Sequence, residues 1–85
     1  MADYDVVEVK VLGYLRLWVR FGDGVEGTVC FKPSHLYGVF EPLKDTAIFA
    51  QARCADGFVS WPGDIDLAPD AMRRAIVEQG EWVLA

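Results

Sequence analysis

The sequence predicts a small α+β domain with an antiparallel sheet, made of a three-stranded N-terminal meander and a short C-terminal hairpin, together with one short helix and one C-terminal helix. Three patterns support this fold class. Residues 5–12 and 14–21 alternate between apolar and polar side chains, as strands with one buried face do. The pair Asp56-Gly57 is typical of a hairpin turn. Residues 69–79 begin with a proline and stop before a glycine, which indicates a helix.

The loop after residues 14–21 sets the register of the second hairpin. A two-residue turn would place the polar Glu26 opposite Phe21 on the core face. A three-residue loop instead pairs Phe21 with Val25 and keeps that whole face apolar, and Gly24 can adopt the positive φ that such a loop needs. Because a one-residue slip would turn every side chain to the wrong face, we predict the three-residue loop.

The second half of the chain predicts shorter elements. Residues 39–43 indicate an extended connector, and Asp45 is a suitable N-cap for a short helix over residues 46–50. The C-terminal helix is predicted over residues 69–79. The last segment, residues 81–85, is expected to be a short apolar tail. With 85 residues, the chain is expected to form one domain over residues 1–85.

The polar side of residues 14–21 is the first candidate site. It carries Tyr14, Arg16, Trp18 and Arg20, and these residue types are enriched at protein interface hot spots. We expect this surface to bind another protein chain, helped by Trp82 in the tail. The C-terminal helix could instead cover the same surface. We expect it to pack on the other, apolar side of the strand.

A ligand pocket is the alternative site. Phe40, Trp61 and His35 could line such a pocket, although a tryptophan at the end of a strand is more often a core residue. Cys30 and His35 are the only possible nucleophile and base, and nothing in their spacing forces them together. We therefore expect no catalytic residue and no enzyme activity.

Three closely spaced acids, Asp64, Asp66 and Asp70, are the candidates for metal binding. Closely spaced carboxylates supply the oxygen ligands that Ca²⁺ and Mg²⁺ prefer. Acids just before a helix also cap its free N–H groups, and the spacing of a calcium loop is missing. We expect helix capping here, and neither a metal nor a cofactor.

Charge and composition limit which partners and which cellular location the sequence predicts. The formal net charge of −5 argues against direct nucleic-acid binding, which needs a basic patch. The acidic N-terminus does not resemble a signal peptide, and no apolar run is long enough to span a membrane, so we expect a cytoplasmic protein without membrane contact. Hydrophobic residues make up 53% of this short chain, which favours a homo-oligomer, a dimer first, that seals apolar surface.

Three segments carry a resemblance to a known family. They read FGDG at residues 21–24, GVFEPLKD at residues 38–45 and WPGDIDLAPD at residues 61–70. The chain resembles the bacterial domain-of-unknown-function family 2442 (DUF2442), over about residues 5–75. This resemblance implies a small α+β fold with an antiparallel sheet. It also implies, from members that look like antitoxins or carry an added DNA-binding domain, a possible small protein partner. No catalytic residue is implied, and DNA binding is not carried over.

Overall fold

The computed structural model describes residues 5–85 and confirms the α+β fold class, with a four-stranded sheet, a three-stranded sheet and two α-helices. The elements in chain order are β1 (Val6–Gly13), β2 (Arg16–Phe21), β3 (Glu26–Phe31), α1 (Thr46–Phe49), β4 (Arg53–Ala55), β5 (Phe58–Trp61), β6 (Ile65–Asp66), α2 (Pro69–Gln79) and β7 (Glu81–Leu84). Two 3₁₀ helices, Pro33–His35 and Gly38–Lys44, connect β3 to α1.

The register of the β2–β3 hairpin confirms the three-residue loop. Leu17 lies opposite Val29, and the amide of Phe21 donates to the carbonyl of Val25 at 2.8 Å. Gly24 has φ +92°, a left-handed conformation that glycine adopts without steric cost. The inner face of the hairpin is therefore apolar along its whole length.

The C-terminal segment is a strand, so the prediction of an apolar tail was wrong. β7 pairs in parallel with β3 and completes the four-stranded sheet in the order β1-β2-β3-β7. The sheet is therefore mixed rather than purely antiparallel. α2 runs back across the sheet, and Gly80, at φ +80°, ends the helix and turns the chain into β7.

The β4–β5 hairpin confirms the turn signal at Asp56-Gly57. Both residues have positive φ, +54° and +87°, which is the type I′ conformation that joins two twisted strands. β6 adds a third strand beside β5. The two sheets meet where the amide of Val6 donates to the carbonyl of Gly57 at 2.8 Å.

The segment before α1 is a 3₁₀ helix over Gly38–Lys44, so the predicted extended connector was wrong. The helical turn directs Leu43 into the core, where its side chain is fully buried. The capping prediction at the next residue is confirmed, because Asp45 Oδ1 accepts a hydrogen bond from the amide of Ala47 at 2.9 Å.

α2 has the predicted bounds and packs on the inner face of the four-stranded sheet. Met72 and Ile76 are buried, and the helix approaches β3 closely at Gly27. The core between the sheet, α2 and the second sheet contains the aromatic residues Phe21, Phe31, Phe49 and Trp61. No helix within residues 5–85 is long and apolar enough to cross a membrane.

Candidate interaction surface

The side of the four-stranded sheet that points away from α2 is the candidate site, and we call it the outer face. Paired residues in neighbouring strands point to the same side of a sheet, so the registers define its members. They are Glu8, Lys10, Arg16, Trp18, Arg20, Glu26, Thr28, Cys30, Glu81 and Val83. All ten side chains are exposed or half-buried. The inner side chains Leu17, Val19, Phe21 and Val29 are fully buried.

The β1–β2 half of the outer face contains a small charge network. Arg20 donates from Nε and Nη2 to Glu8 Oε1 at 3.3 and 3.0 Å. Lys10 Nζ lies 3.6 Å from Glu8 Oε2 and 5.2 Å from the centroid of the Trp18 ring, within cation–π range. The hydrogen bond from Arg20 is the main reason that the pKa of Glu8 lies below its usual value. Trp18 thus lies against a neighbouring cation and is half-buried.

Three other charged side chains lie on the outer face. Arg16, Glu26 and Glu81 make no ion pair or side-chain hydrogen bond with any residue of the described range 5–85. Glu26 and Glu81 lie on β3 and β7, whereas the three cations of this face lie on β1 and β2. The β1–β2 half of the outer face, which also carries Glu8, is therefore net positive, and the β3–β7 half is negative.

Tyr14 does not lie on the outer face. Leu15 has φ +64°, so the alternation of residues 14–21 breaks at the turn between β1 and β2. The Tyr14 hydroxyl donates to the carbonyl of Lys44 at 3.0 Å, and its ring meets Phe49 edge-on with the centroids 5.8 Å apart. Since Phe49 belongs to the core, Tyr14 closes one end of the domain and does not join the predicted partner surface.

Trp82 also differs from its predicted place. It pairs with Val29 in the parallel ladder and packs against the core, so it points to the inner side of the sheet. Val83, opposite Cys30, is the β7 residue that faces outward, and it is 42% exposed. Reading residues 81–84 as an alternating strand, with Trp82 and Leu84 on one side, would have found this arrangement.

The residues of the alternative pocket, His35, Phe40 and Trp61, pack around the ring of Phe31. Trp61 is 2% exposed and donates from Nε1 to the carbonyl of Phe49 at 3.0 Å, so it is a core residue. The ring of His35 lies 5.0 Å from that of Phe40, and its Nδ1 is 3.3 Å from the carbonyl oxygen of Ala85. A shallow cavity that Trp61 borders follows the β5–β6 loop and includes neither His35 nor Phe40.

The two cysteines lie in different surroundings. Cys30 belongs to the outer face, whereas Cys54 donates from Sγ to the carbonyl of Val6 at 2.7 Å. Burial, with a smaller effect of the Asp5 charge, raises the pKa of Cys54, which disfavours the reactive thiolate. Among residues 5–85, no group of three or more His, Cys, Asp or Glu side chains is arranged to hold a metal ion.

The sequence matches one family model over most of its length. The chain belongs to the family of proteins of unknown function DUF2442, whose model covers residues 6–78. That match includes β1 to β6 and nearly all of α2, and it stops before β7. No curated protein and no solved structure matches the chain.

Proposed function

We propose that this chain is a non-enzymatic protein–protein interaction module that self-associates through the outer face of its four-stranded sheet. The observation that carries the proposal is the outer face, on which Trp18 is half-buried and Val83 is 42% exposed. A tryptophan on a flat sheet surface, surrounded by arginines, has the composition of an interface hot spot.

The charge of the outer face supports association between identical chains. Three cations, Lys10, Arg16 and Arg20, balance three acids, Glu8, Glu26 and Glu81. The face is thus neutral, although the whole chain carries a net charge of −5. Two copies that approach through this face avoid the repulsion that the rest of their acidic surfaces would cause.

The chemistry of the possible nucleophiles supports a non-enzymatic role. The Cys30 side chain shares the outer face with Thr28, whereas His35 contacts the rings of Phe31 and Phe40 and the carbonyl of Ala85. A Cys–His pair needs the two groups within hydrogen-bond reach. No hydrogen bond joins Cys30 to His35 in the described part of the chain, and Cys54 favours its thiol form.

Trp18→Glu is the experiment that tests this function. The mass of the wild-type chain, measured by light scattering on a sizing column, is expected to rise above the 9.5 kDa of one chain as concentration increases. The variant is expected to stay at one chain, because it loses the apolar area of the tryptophan ring and places a charge that must be desolvated at the centre of the interface. Val77→Glu is the matched control, since Val77 is 57% exposed on α2 and lies outside the outer face.

Thermal unfolding of each variant separates a lost interface from a lost fold. Trp18→Glu is expected to unfold within a few degrees of the wild type, because its side chain is only half-buried in the single chain. Self-association through this face is wrong if the mass of the wild-type chain remains at 9.5 kDa at every concentration. The partner of the outer face would then be a different small protein.

A further inference from the structure

We infer that the outer face binds a second copy of itself face to face, about a two-fold axis that runs parallel to the strands between β2 and β3. This inference rests on the proposed function and specifies its geometry. In this arrangement β2 of one chain lies over β3 of its partner, and β1 lies over β7. The strand registers support this arrangement in two independent ways, through the sizes of the side chains and through their charges.

The size argument comes from the two central strands. The outward side chains of β2 are Arg16, Trp18 and Arg20, which are all long, so β2 forms a ridge. The outward side chains at the centre of β3 are Thr28 and Cys30, which are short, so β3 forms a trough beside it. A rotation about the axis between these two strands places each ridge in the partner's trough, as close packing of sheets requires.

The charge argument comes from the row of cross-strand neighbours Lys10, Trp18, Thr28 and Glu81. The proposed axis exchanges the two ends of this row, so Lys10 meets Glu81 of the partner copy and Trp18 meets its Thr28. In the next row Arg20 meets Glu26 of the partner copy. The Lys10–Glu81 pair and the Arg20–Glu26 pair each occur twice in the dimer. Neither Glu81 nor Glu26 makes an ion pair within the described residues of its own chain.

The other simple two-fold axis is unfavourable. An axis in the plane of the interface but perpendicular to the strands would keep each strand over its own copy. With this axis at the row of Lys10, Trp18, Thr28 and Glu81, Lys10 would face Lys10, Glu81 would face Glu81, and two Trp18 rings would meet. Like charges placed directly opposite each other are destabilising, and two ridges in contact would hold the remaining surfaces apart. The arrangement of charges and sizes therefore selects the axis parallel to the strands.

The area of the outer face limits how much surface the dimer can bury. Four strands at about 4.8 Å and six residues at about 3.3 Å give a footprint of roughly 400 Å². This footprint is small compared with the ~800 Å² that each partner buries in a standard interface. We therefore expect a reversible dimer with a dissociation constant of roughly micromolar size, visible between about 1 and 500 μM protein.

A charge exchange between Lys10 and Glu81 tests the geometry, because both side chains are exposed and tolerate substitution in the single chain. Lys10→Glu and Glu81→Lys are each expected to weaken the dimer about tenfold, since two attractive pairs become repulsive. The double variant restores both pairs and is expected to return to within about threefold of the wild-type dissociation constant. An equimolar mixture of the two single variants is expected to form a mixed dimer more tightly than either variant forms its own.

Sedimentation equilibrium on each variant, with native mass spectrometry on the mixture, provides the measurement. Restored association in the double variant and a mixed dimer support the inference. Weakening by each single variant without restoration overturns it, and so does an absence of any effect of either change. In both of these cases the effect of Trp18→Glu on association still reports on the proposed function. A wild-type chain that is monomeric throughout the range overturns both proposals.

Discussion

The inner and outer faces of the four-stranded sheet consist of alternating residues of the same strands, and yet they differ in burial and in polarity. On β2, Leu17 and Val19 are fully buried, whereas Arg16 is exposed and Trp18 is half-exposed. The inner face is covered by α2 and by the second sheet, and its fit depends on the absence of a side chain at Gly27. On the outer face, Glu8, Lys10, Trp18 and Arg20 contact one another across β1 and β2. Covering elements, and not strand sequence alone, decide which side of a sheet becomes core.

The neighbours Trp82 and Val83 on β7 test this difference most strongly. Trp82→Glu is expected to reduce the free energy of unfolding by about 2 kcal/mol, because it removes apolar packing and places a carboxylate against the core. Val83→Glu is expected to change it by less than about 0.5 kcal/mol, since Val83 faces solvent in the single chain. Urea unfolding at low protein concentration measures both. Equal losses would contradict the assignment of these residues to opposite faces.

Gly27 and Gly13 form a matched pair for the fit of α2 on the inner face. A Cβ at Gly27 would lie 2.7 Å from the carbonyl oxygen of Gly80 and 2.7 Å from Ile76 Cγ2, so α2 must move. Gly27→Ala is expected to cost about 1–3 kcal/mol of stability.

Gly13→Ala is the control for that substitution. A Cβ at Gly13 meets nothing within 4 Å, so no loss of stability is expected. Thermal unfolding of the two variants gives the comparison, and an unchanged midpoint for Gly27→Ala would mean that the helix is not seated on β3 as described.

The smallest expected effects concern pH. The pKa of Glu8 on the outer face is lowered chiefly by its hydrogen bond with Arg20, and that of Asp23 is lowered chiefly by its hydrogen bond with Arg73 on α2. Because both pKa values are lower in the folded chain, each carboxylate stabilises the fold above the usual carboxyl pKa. This contribution is lost as the pH falls through the lowered value.

Glu8→Gln and Asp23→Asn are therefore each expected to flatten the loss of thermal stability between about pH 5 and pH 2. Thermal unfolding midpoints across that range measure the slope, and 1 M salt is expected to reduce the Glu8 contribution because the pair is solvent-exposed. A variant with the same pH slope as the wild type would show that its ion pair does not contribute to stability.

The sequence predicts local structure well wherever short-range rules decide it. The register of β2 and β3 follows from the period of two and the length of the loop after Phe21. The Asp45 cap, the turn at Asp56-Gly57 and the bounds of α2 follow from single residues with specific backbone or side-chain preferences. Each of these features depends on neighbours within a few positions.

The outer face is predicted only in part, because its membership depends on contacts between distant segments. Arg16, Trp18 and Arg20 lie on it as expected, but the left-handed conformation of Leu15 directs Tyr14 to Phe49. The alternation of residues 81–84 places Trp82 and Leu84 on one side of a strand, but the parallel pairing of β7 with β3, which has no local signal, decides that this side faces the core. Glu81 and Val83 join the outer face for the same reason.

The pairing of β7 with β3 also has a consequence for how the domain folds. Residues 32–80 lie between the two strands. The meander β1–β3 can therefore form early from local contacts, whereas β7 can pair with β3 only after these intervening residues have folded. Until then, the edge of β3 presents unpaired backbone groups, which are a template for pairing with another chain. Folding is therefore expected to include a slow final step, and aggregation during refolding is expected to depend on how quickly residues 81–84 reach that edge.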